Sequence, residues 1–330
     1  MITTSDFIRI PYARDLTQSG IDYALRALPS IYDRMSGSLY SRLRRIVGGT
    51  AVELAFRRYL GEQGIRFDVK ESKPFTEPDQ YDVSLGGHRC DIKNFLTSKR
   101  NQISAVRRDL SLILRAPALI PSDTFVSEAY SDQDIYIFSF LIGLTTNSPD
   151  DIQKAQAAHQ PLSLIHLIPE TWARPSAWIP LGPIALKSEC SFPIMIELGG
   201  QNADRELITR KVRLDPLQRM PLPSAFHSLA YVGVDQIPDA RIGIHFSDRN
   251  ITHLIAPPDW GNLWVYGMET ILAGWITREE FRRKAEPLMA GSRVFQYSQT
   301  QTKNLSLPVA DLRPMNDLFD RVREWEAGRR

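Results

Sequence analysis

The spacing of apolar residues changes period several times along the chain, and each change predicts an element. From Ser38 to Leu60 the spacing is helical, with an interruption at Gly48-Gly49. Thr50 offers an N-cap for the second half, in which Val52, Ala55, Phe56, Tyr59 and Leu60 share one side. Gly61 and Gly64 stop the helix. Ile65–Val69, Tyr81–Leu85 and Arg89–Phe95 suit three strands. Asn101–Leu114 reads as an amphipathic helix with Ile103, Val106, Leu110, Ile113 and Leu114 on one face. Asp134–Leu144 is apolar enough for a strand buried on both sides. A helix at Asp150–His159 and a strand at Leu162–Ile168 follow. The middle strands are joined too tightly to be parallel. The expectation is therefore an α/β (α+β) fold whose mixed central sheet is flanked by helices.

Beyond about residue 170 prolines become frequent, and short β-like runs alternate with turns, at Ile194–Leu198, Glu206–Leu214 and Arg241–Phe246. Ile255-Ala256-Pro257-Pro258 reads as a linker or sharp turn. The last stretch predicts helices near Glu269–Leu272 and Arg278–Ala285, a strand pair around Arg293–Leu307 and a closing helix at Met315–Trp325. Three regions are expected: 1–170, a β-rich 171–256, and a small α/β region 257–330.

Composition narrows the class. The chain has 330 residues, 43% of them apolar, enough to bury a core, which excludes wholesale disorder. Its two cysteines, Cys90 and Cys190, exclude a disulfide scaffold and a cysteine-rich zinc module, and fit a reducing compartment. The first residues lack the pattern of a secretory signal, and the longest apolar run, Ile135–Leu144, is too short for a bilayer. A cytoplasmic protein with no membrane partner is expected. Net charge is only +2, yet residues 1–115 carry 19 Lys/Arg against 13 Asp/Glu. Such an excess suits a polyanion partner and equally a solvated surface.

The chemistry concentrates in Tyr81-Asp82-Val83-Ser84-Leu85-Gly86-Gly87-His88-Arg89-Cys90-Asp91-Ile92-Lys93. Gly86-Gly87 suits the two-residue turn of a tight hairpin. That turn sets Leu85 opposite His88, Ser84 opposite Arg89, Val83 opposite Cys90 and Asp82 opposite Asp91. Alternation then puts Asp82, Ser84, Arg89, Asp91 and Lys93 on one face, and Tyr81, Val83, Leu85, Cys90 and Ile92 on a core face. Two opposed carboxylates repel across a strand pair. A divalent cation resolves the conflict, since Mg2+ takes carboxylate, water and phosphate oxygens. The neighbouring lysine can orient or deprotonate a water.

These residues resemble the PD-(D/E)XK nuclease superfamily, with its restriction-endonuclease-like core of a helix, three antiparallel strands, a helix and a further strand. Asp82 matches the first acid, and Asp91-Ile92-Lys93 matches the acid-x-Lys. Pro78-Asp79 is the literal Pro-Asp, but the register turns Asp79 to the other face, so Asp82 is preferred and Asp79 is the alternative. Two other triplets, Asp68-Val69-Lys70 and Glu71-Ser72-Lys73, lack a hairpin that opposes them to another acid. The resemblance covers roughly residues 40–145. It implies a Mg2+-dependent endodeoxyribonuclease, with Mn2+ able to substitute. Asp82, Asp91 and the Ile92 carbonyl would hold metal, Lys93 would position the attacking water, and Glu53, on the preceding helix, would complete the site. It further implies a setting in restriction or anti-phage defence, or else DNA repair or recombination. A homodimer and a separate NTPase or defence partner are compatible with it. A non-catalytic nucleic-acid-binding protein on the same fold is the alternative of a different class.

Other residues have two readings each. Glu53 also suits a helix-start acid favoured by the dipole. Arg57, Arg89, Lys99, Arg100, Gln102 and Arg107 suit phosphate contact near the site, or an ordinary wet surface. Basic doublets stand at Arg44-Arg45, Arg57-Arg58, Lys99-Arg100 and Arg107-Arg108, with Arg282-Arg283-Lys284 further on. The aromatic group Trp260, Trp264, Tyr266 and Trp275 suits base stacking or a core. The polar run 296–304 suits base readout or an exposed hairpin. The six histidines lack the close spacing of a zinc cluster, and no phosphate loop or serine elbow is present.

Overall fold

The computed structural model describes residues 1–11, 13–28, 38–69, 83–127, 131–160, 162–223, 225–246 and 250–328. The chain forms two compact units. The first comprises Met1–Gly20, Arg45–Thr145 and Val265–Arg330; the second comprises Ile21–Arg44 and Thr146–Trp264.

In chain order the elements are β1 (Ile8–Ile10), α1 (Arg14–Ala27), α2 (Leu39–Glu62), β2 (Val83–Leu85), β3 (His88–Thr97), α3 (Arg100–Arg108), α4 (Ser111–Leu114), β4 (Pro117–Pro121), α5 (Ser122–Ser127) and β5 (Ile135–Leu144). There follow α6 (Pro149–Ala157), β6 (Leu164–Leu167), α7 (Glu170–Ala173), β7 (Ile184–Ser188), β8 (Ile194–Gln201), β9 (Leu207–Leu214), β10 (Arg219–Leu222), β11 (Ser228–Val234), β12 (Ile242–Phe246), β13 (Ile251–Ile255) and β14 (Gly261–Asn262). The chain then rejoins the first unit with β15 (Tyr266–Thr277), α8 (Arg278–Lys284), β16 (Glu286–Leu288), β17 (Asn304–Pro308) and α9 (Met315–Ala327).

The first unit is built on a mixed sheet of order β1-β15-β5-β3-β2. β3 and β5 run parallel, and the other neighbours are antiparallel. One sheet face packs on α2 and α9 through Val52, Phe56, Cys90, Ile137, Leu318 and Phe319. The other packs on α3 and α8 through Phe95, Ile103, Val106, Phe138, Phe140 and Phe281. β5 is buried from Ile135 to Gly143, as its unbroken apolar run requires.

Several elements differ from the pattern reading. α2 runs unbroken through Gly48-Gly49. A Cβ at Gly48 would lie 3.0 Å from Leu141 Cδ2, so glycine there lets the helix approach the sheet. The stop is as expected: Gly64 has φ +64°, and Ile65 N–H donates to the Leu60 carbonyl at 2.9 Å. The strand expected at Ile65–Val69 shrinks to one bridge between Asp68 and Ser84. The helix expected over Asn101–Leu114 breaks at Asp109, whose carboxylate accepts from Ser111 N–H at 2.9 Å and starts a new turn. Glu269–Leu272 lies in a strand, because β15 is sandwiched between β1 and β5 and packing overrides local propensity. For the same reason 257–330 is not a separate region: β15 is an inner strand of the sheet that β2, β3 and β5 begin.

In the second unit, sheets of order β10-β7-β12-β13 and β14-β6-β11-β8-β9 share one core formed by Ile184, Leu186, Ile196, Leu198, Val232 and Ile244. All their pairings are antiparallel. The β-rich character expected from residue 171 thus begins already at β6. Among the described residues no helix is long and apolar enough to cross a membrane.

Candidate functional site

The hairpin β2–β3 has the register that its turn dictates. Gly86 (φ +53°) and Gly87 (φ +80°) close it, and Leu85 faces His88, Ser84 faces Arg89 and Val83 faces Cys90. Val83, Leu85 and Cys90 have no exposed surface, so the expected core face is a core face. Asp82 and the alternative Asp79 lie outside the described residues.

Asp91 and Lys93 project from the other face. Lys93 Nζ is 2.6 Å from Asp91 Oδ2, and their side chains are 20% and 14% exposed. In the parallel pairing with β5, Asp91 stands beside Tyr136 and Lys93 beside Phe138. Lys93 Nζ lies 6.0 Å from the centre of the Tyr136 ring. An ammonium against a ring face is favoured more strongly as water is excluded. Tyr136 was not singled out by the sequence because it sits inside an all-apolar strand; the alternation of β5 is the signal that puts it on this face.

Ile103 and Val106 of α3 pack on the same side of the sheet. The cations of that helix therefore belong to the Asp91–Lys93 side, with Lys99, Arg100 and Arg107 exposed. Gln102, by contrast, is half-buried and donates from Nε2 to the Phe295 carbonyl at 2.8 Å, a tether between segments. Arg89 is half-buried, opposite Ser84.

Glu53 stands elsewhere. Its chain neighbours Val52 and Leu54 pack into the cluster that holds Cys90 and Ile92, which is the sheet face opposite Asp91 and Lys93. Glu53 is ion-paired one helical turn on with Arg57. The structure thus joins Asp91 with Lys93 and Glu53 with Arg57, and leaves the two pairs on different faces. The Ile92 side chain belongs to the Cys90 cluster.

Other candidates have structural duties. Arg44 is buried and donates from Nε to the Asn262 carbonyl at 2.9 Å. Arg58 pairs with Asp15, and Arg282 forks onto Asp132 with two contacts of 2.9 Å. Trp260, Trp264, Tyr266 and Trp275 are all buried, so the aromatic group is core. In the polar run, Gln296, Thr300 and Asn304 are buried. Gln296 donates to the Pro117 carbonyl, and Thr300 Oγ1 to Met289 O at 2.9 Å.

Among the described residues no group of three or more His, Cys, Asp or Glu side chains converges on a metal position. No protein family, curated protein or solved structure matches the chain.

Proposed function

We propose that the first unit is the catalytic core of a Mg2+-dependent endodeoxyribonuclease. The observation that carries this reading is the β2–β3 register, which ends one residue short of Asp82 with Asp91 and Lys93 together on the polar face. The element order supports it as well: helix, a bridged segment at Asp68, two antiparallel strands, a helix, and β5 parallel to β3. A restriction-endonuclease-like core would have a full strand in place of the bridged segment and otherwise the same order.

The donor set fits a hard cation that takes few protein ligands. Mg2+ is commonly held by one or two carboxylates, with water and substrate phosphate filling the remainder. Asp91 and Asp82 would hold it, with the Ile92 carbonyl as a further oxygen. When bound, such an ion polarises the phosphodiester and offsets the charge that develops on it. Lys93 orients the attacking water and takes up its proton or steadies the phosphate oxygens. The Tyr136 ring and the packed face beneath it exclude bulk water from one side of Lys93. Lys99, Arg100 and Arg107 meet backbone phosphates flanking the scissile bond. Glu53 has no part in this proposal, because its helix packs on the sheet face opposite Asp91 and Lys93. Restriction or another defence against foreign DNA is the setting we favour on family grounds.

Plasmid DNA incubated with the full chain and Mg2+ or Mn2+ should be nicked or linearised, and EDTA and Lys93→Ala should each abolish this. A non-catalytic DNA-binding protein on the same fold is the second reading, favoured by the Glu53–Arg57 pair on the wrong face for a metal site. DNA binding without metal-dependent product, unchanged in Asp91→Asn, would establish that reading instead.

A further inference from the structure

Two histidines that are 87 residues apart in the chain meet in the second unit, independently of the site above. His166 Nε2 and His253 Nε2 are 2.8 Å apart. His166 is on β6 and His253 on β13, so the contact joins the two sheets. Both rings point inward: His166 shares its face with Leu164, and His253 shares its face with Ile255, both core residues.

The protonation pattern is set from one end. His166 Nδ1 lies 3.1 Å from the Asp259 carbonyl, which can only accept. Nδ1 therefore carries the proton, and the lone pair of His166 Nε2 is aimed at His253. A ligating histidine is typically fixed this way, with its far N–H on a backbone carbonyl. Aromatic rings wall the pair, with Trp172 5.6 Å from His253 and Trp260 6.1 Å from His166. The indole N–H of Trp260 is buried without a hydrogen-bond acceptor among the described residues.

We propose that His166 and His253 form a two-imidazole site for a divalent transition metal ion, which clips the two sheets of the second unit together. Paired imidazoles select Zn2+, Ni2+ or Cu2+ over Mg2+. Two Nε2 atoms bound at Zn–N distances of about 2.0–2.1 Å in tetrahedral geometry must part by roughly 0.5 Å from their present spacing. Among the described residues β13 is the edge strand of its sheet, paired with β12, so it can yield. The remaining positions fall to water or an external ligand, which makes this an open site.

Zn2+ titrated calorimetrically into the full chain, freed of metal beforehand, should bind once per chain and raise the melting temperature. His166→Gln or His253→Gln should weaken binding by more than the roughly 10–100-fold that loss of an outer-shell partner costs. Circular dichroism without metal checks that each variant is folded, and the more conservative Asn exchange is used if it is not. The folded His166→Gln/His253→Gln double variant should keep any Mg2+-dependent DNA cleavage, which separates this site from the nuclease reading. The Co2+ derivative should show a ligand-field spectrum that is absent from either histidine variant. No saturable uptake of Zn2+ or Ni2+, or uptake unchanged in the folded double variant, overturns the proposal and leaves a plain hydrogen bond between two neutral rings.

Discussion

Two acid–cation pairs of the first unit bury their acids equally and are built in opposite ways. The side chains of Asp91 and Glu280 are each 14% exposed. Glu280 is gripped by Arg313, 33 residues away, whose Nε donates at 3.0 Å while a second guanidinium nitrogen takes the other oxygen. Arg313 also lies 5.4 Å from the centre of the Trp275 ring, and its backbone exchanges hydrogen bonds of 3.0 and 2.9 Å with that residue. Among the described residues, Asp91 is met by a point contact from a lysine two residues along its own strand. Shielding alone therefore does not tell a fastening from the site we propose. A forked, long-range pair closes the fold and cannot be given up cheaply, whereas a local point contact can open when a ligand arrives.

The sharpest way to break this contrast is to remove each cation. Lys93→Ala should lower metal-dependent cleavage by at least about a hundredfold, as loss of a proton-handling group does, and should move the melting temperature little. Arg313→Ala should do the reverse. It should cost about 1–3 kcal/mol in denaturant unfolding, the scale of a hydrogen-bonded charge, with cleavage per folded molecule kept. If both variants lose stability alike and neither loses activity, Asp91–Lys93 is a fastening too.

Hairpin geometry is the next lever. Gly86→Ala forces a side chain into a left-handed conformation, with its Cβ 2.7 Å from the Trp325 ring. It should cost about 1 kcal/mol or more and, by disturbing the register, lower cleavage further than the lost stability explains.

Acid should separate the pairs as well. Burial pushes the Glu280 carboxyl up, but the Arg313 fork and charge outweigh it and leave the group below its ordinary value. Its contribution is thus complete above the usual glutamate range and is lost as pH falls through the lowered folded value. Melting temperature plotted against pH should drop there, and Glu280→Gln should flatten that part of the curve. The smallest effect belongs to Arg282→Ala, whose pair with Asp132 is half exposed. The change in melting temperature should be barely measurable, and smaller still in high salt.

What the sequence revealed follows its local physics. The hairpin was legible to the residue because two glycines leave one register. The β5 run was legible because a strand buried on both sides has no polar alternation to disguise it. The relation of Glu53 to Asp91 was not legible, because helical periodicity says which side of α2 faces the sheet but not which sheet face the helix covers. β15 was misread because its partners β1 and β5 are remote in sequence. The contact between His166 and His253 had no sequence signature, since it depends on how two sheets stack.

The strand order of the first unit carries a consequence for synthesis. β15 completes the sheet between β1 and β5, yet the whole second stretch of the other unit is translated before it. At ordinary translation speeds the ribosome needs on the order of ten seconds for that stretch. Throughout this interval the nascent chain holds β1 without its partner and one long apolar border of β5 open. Such a border invites pairing with a neighbouring chain. The interval before β15 emerges is when this protein most needs a chaperone, and a message truncated before that point should yield aggregate.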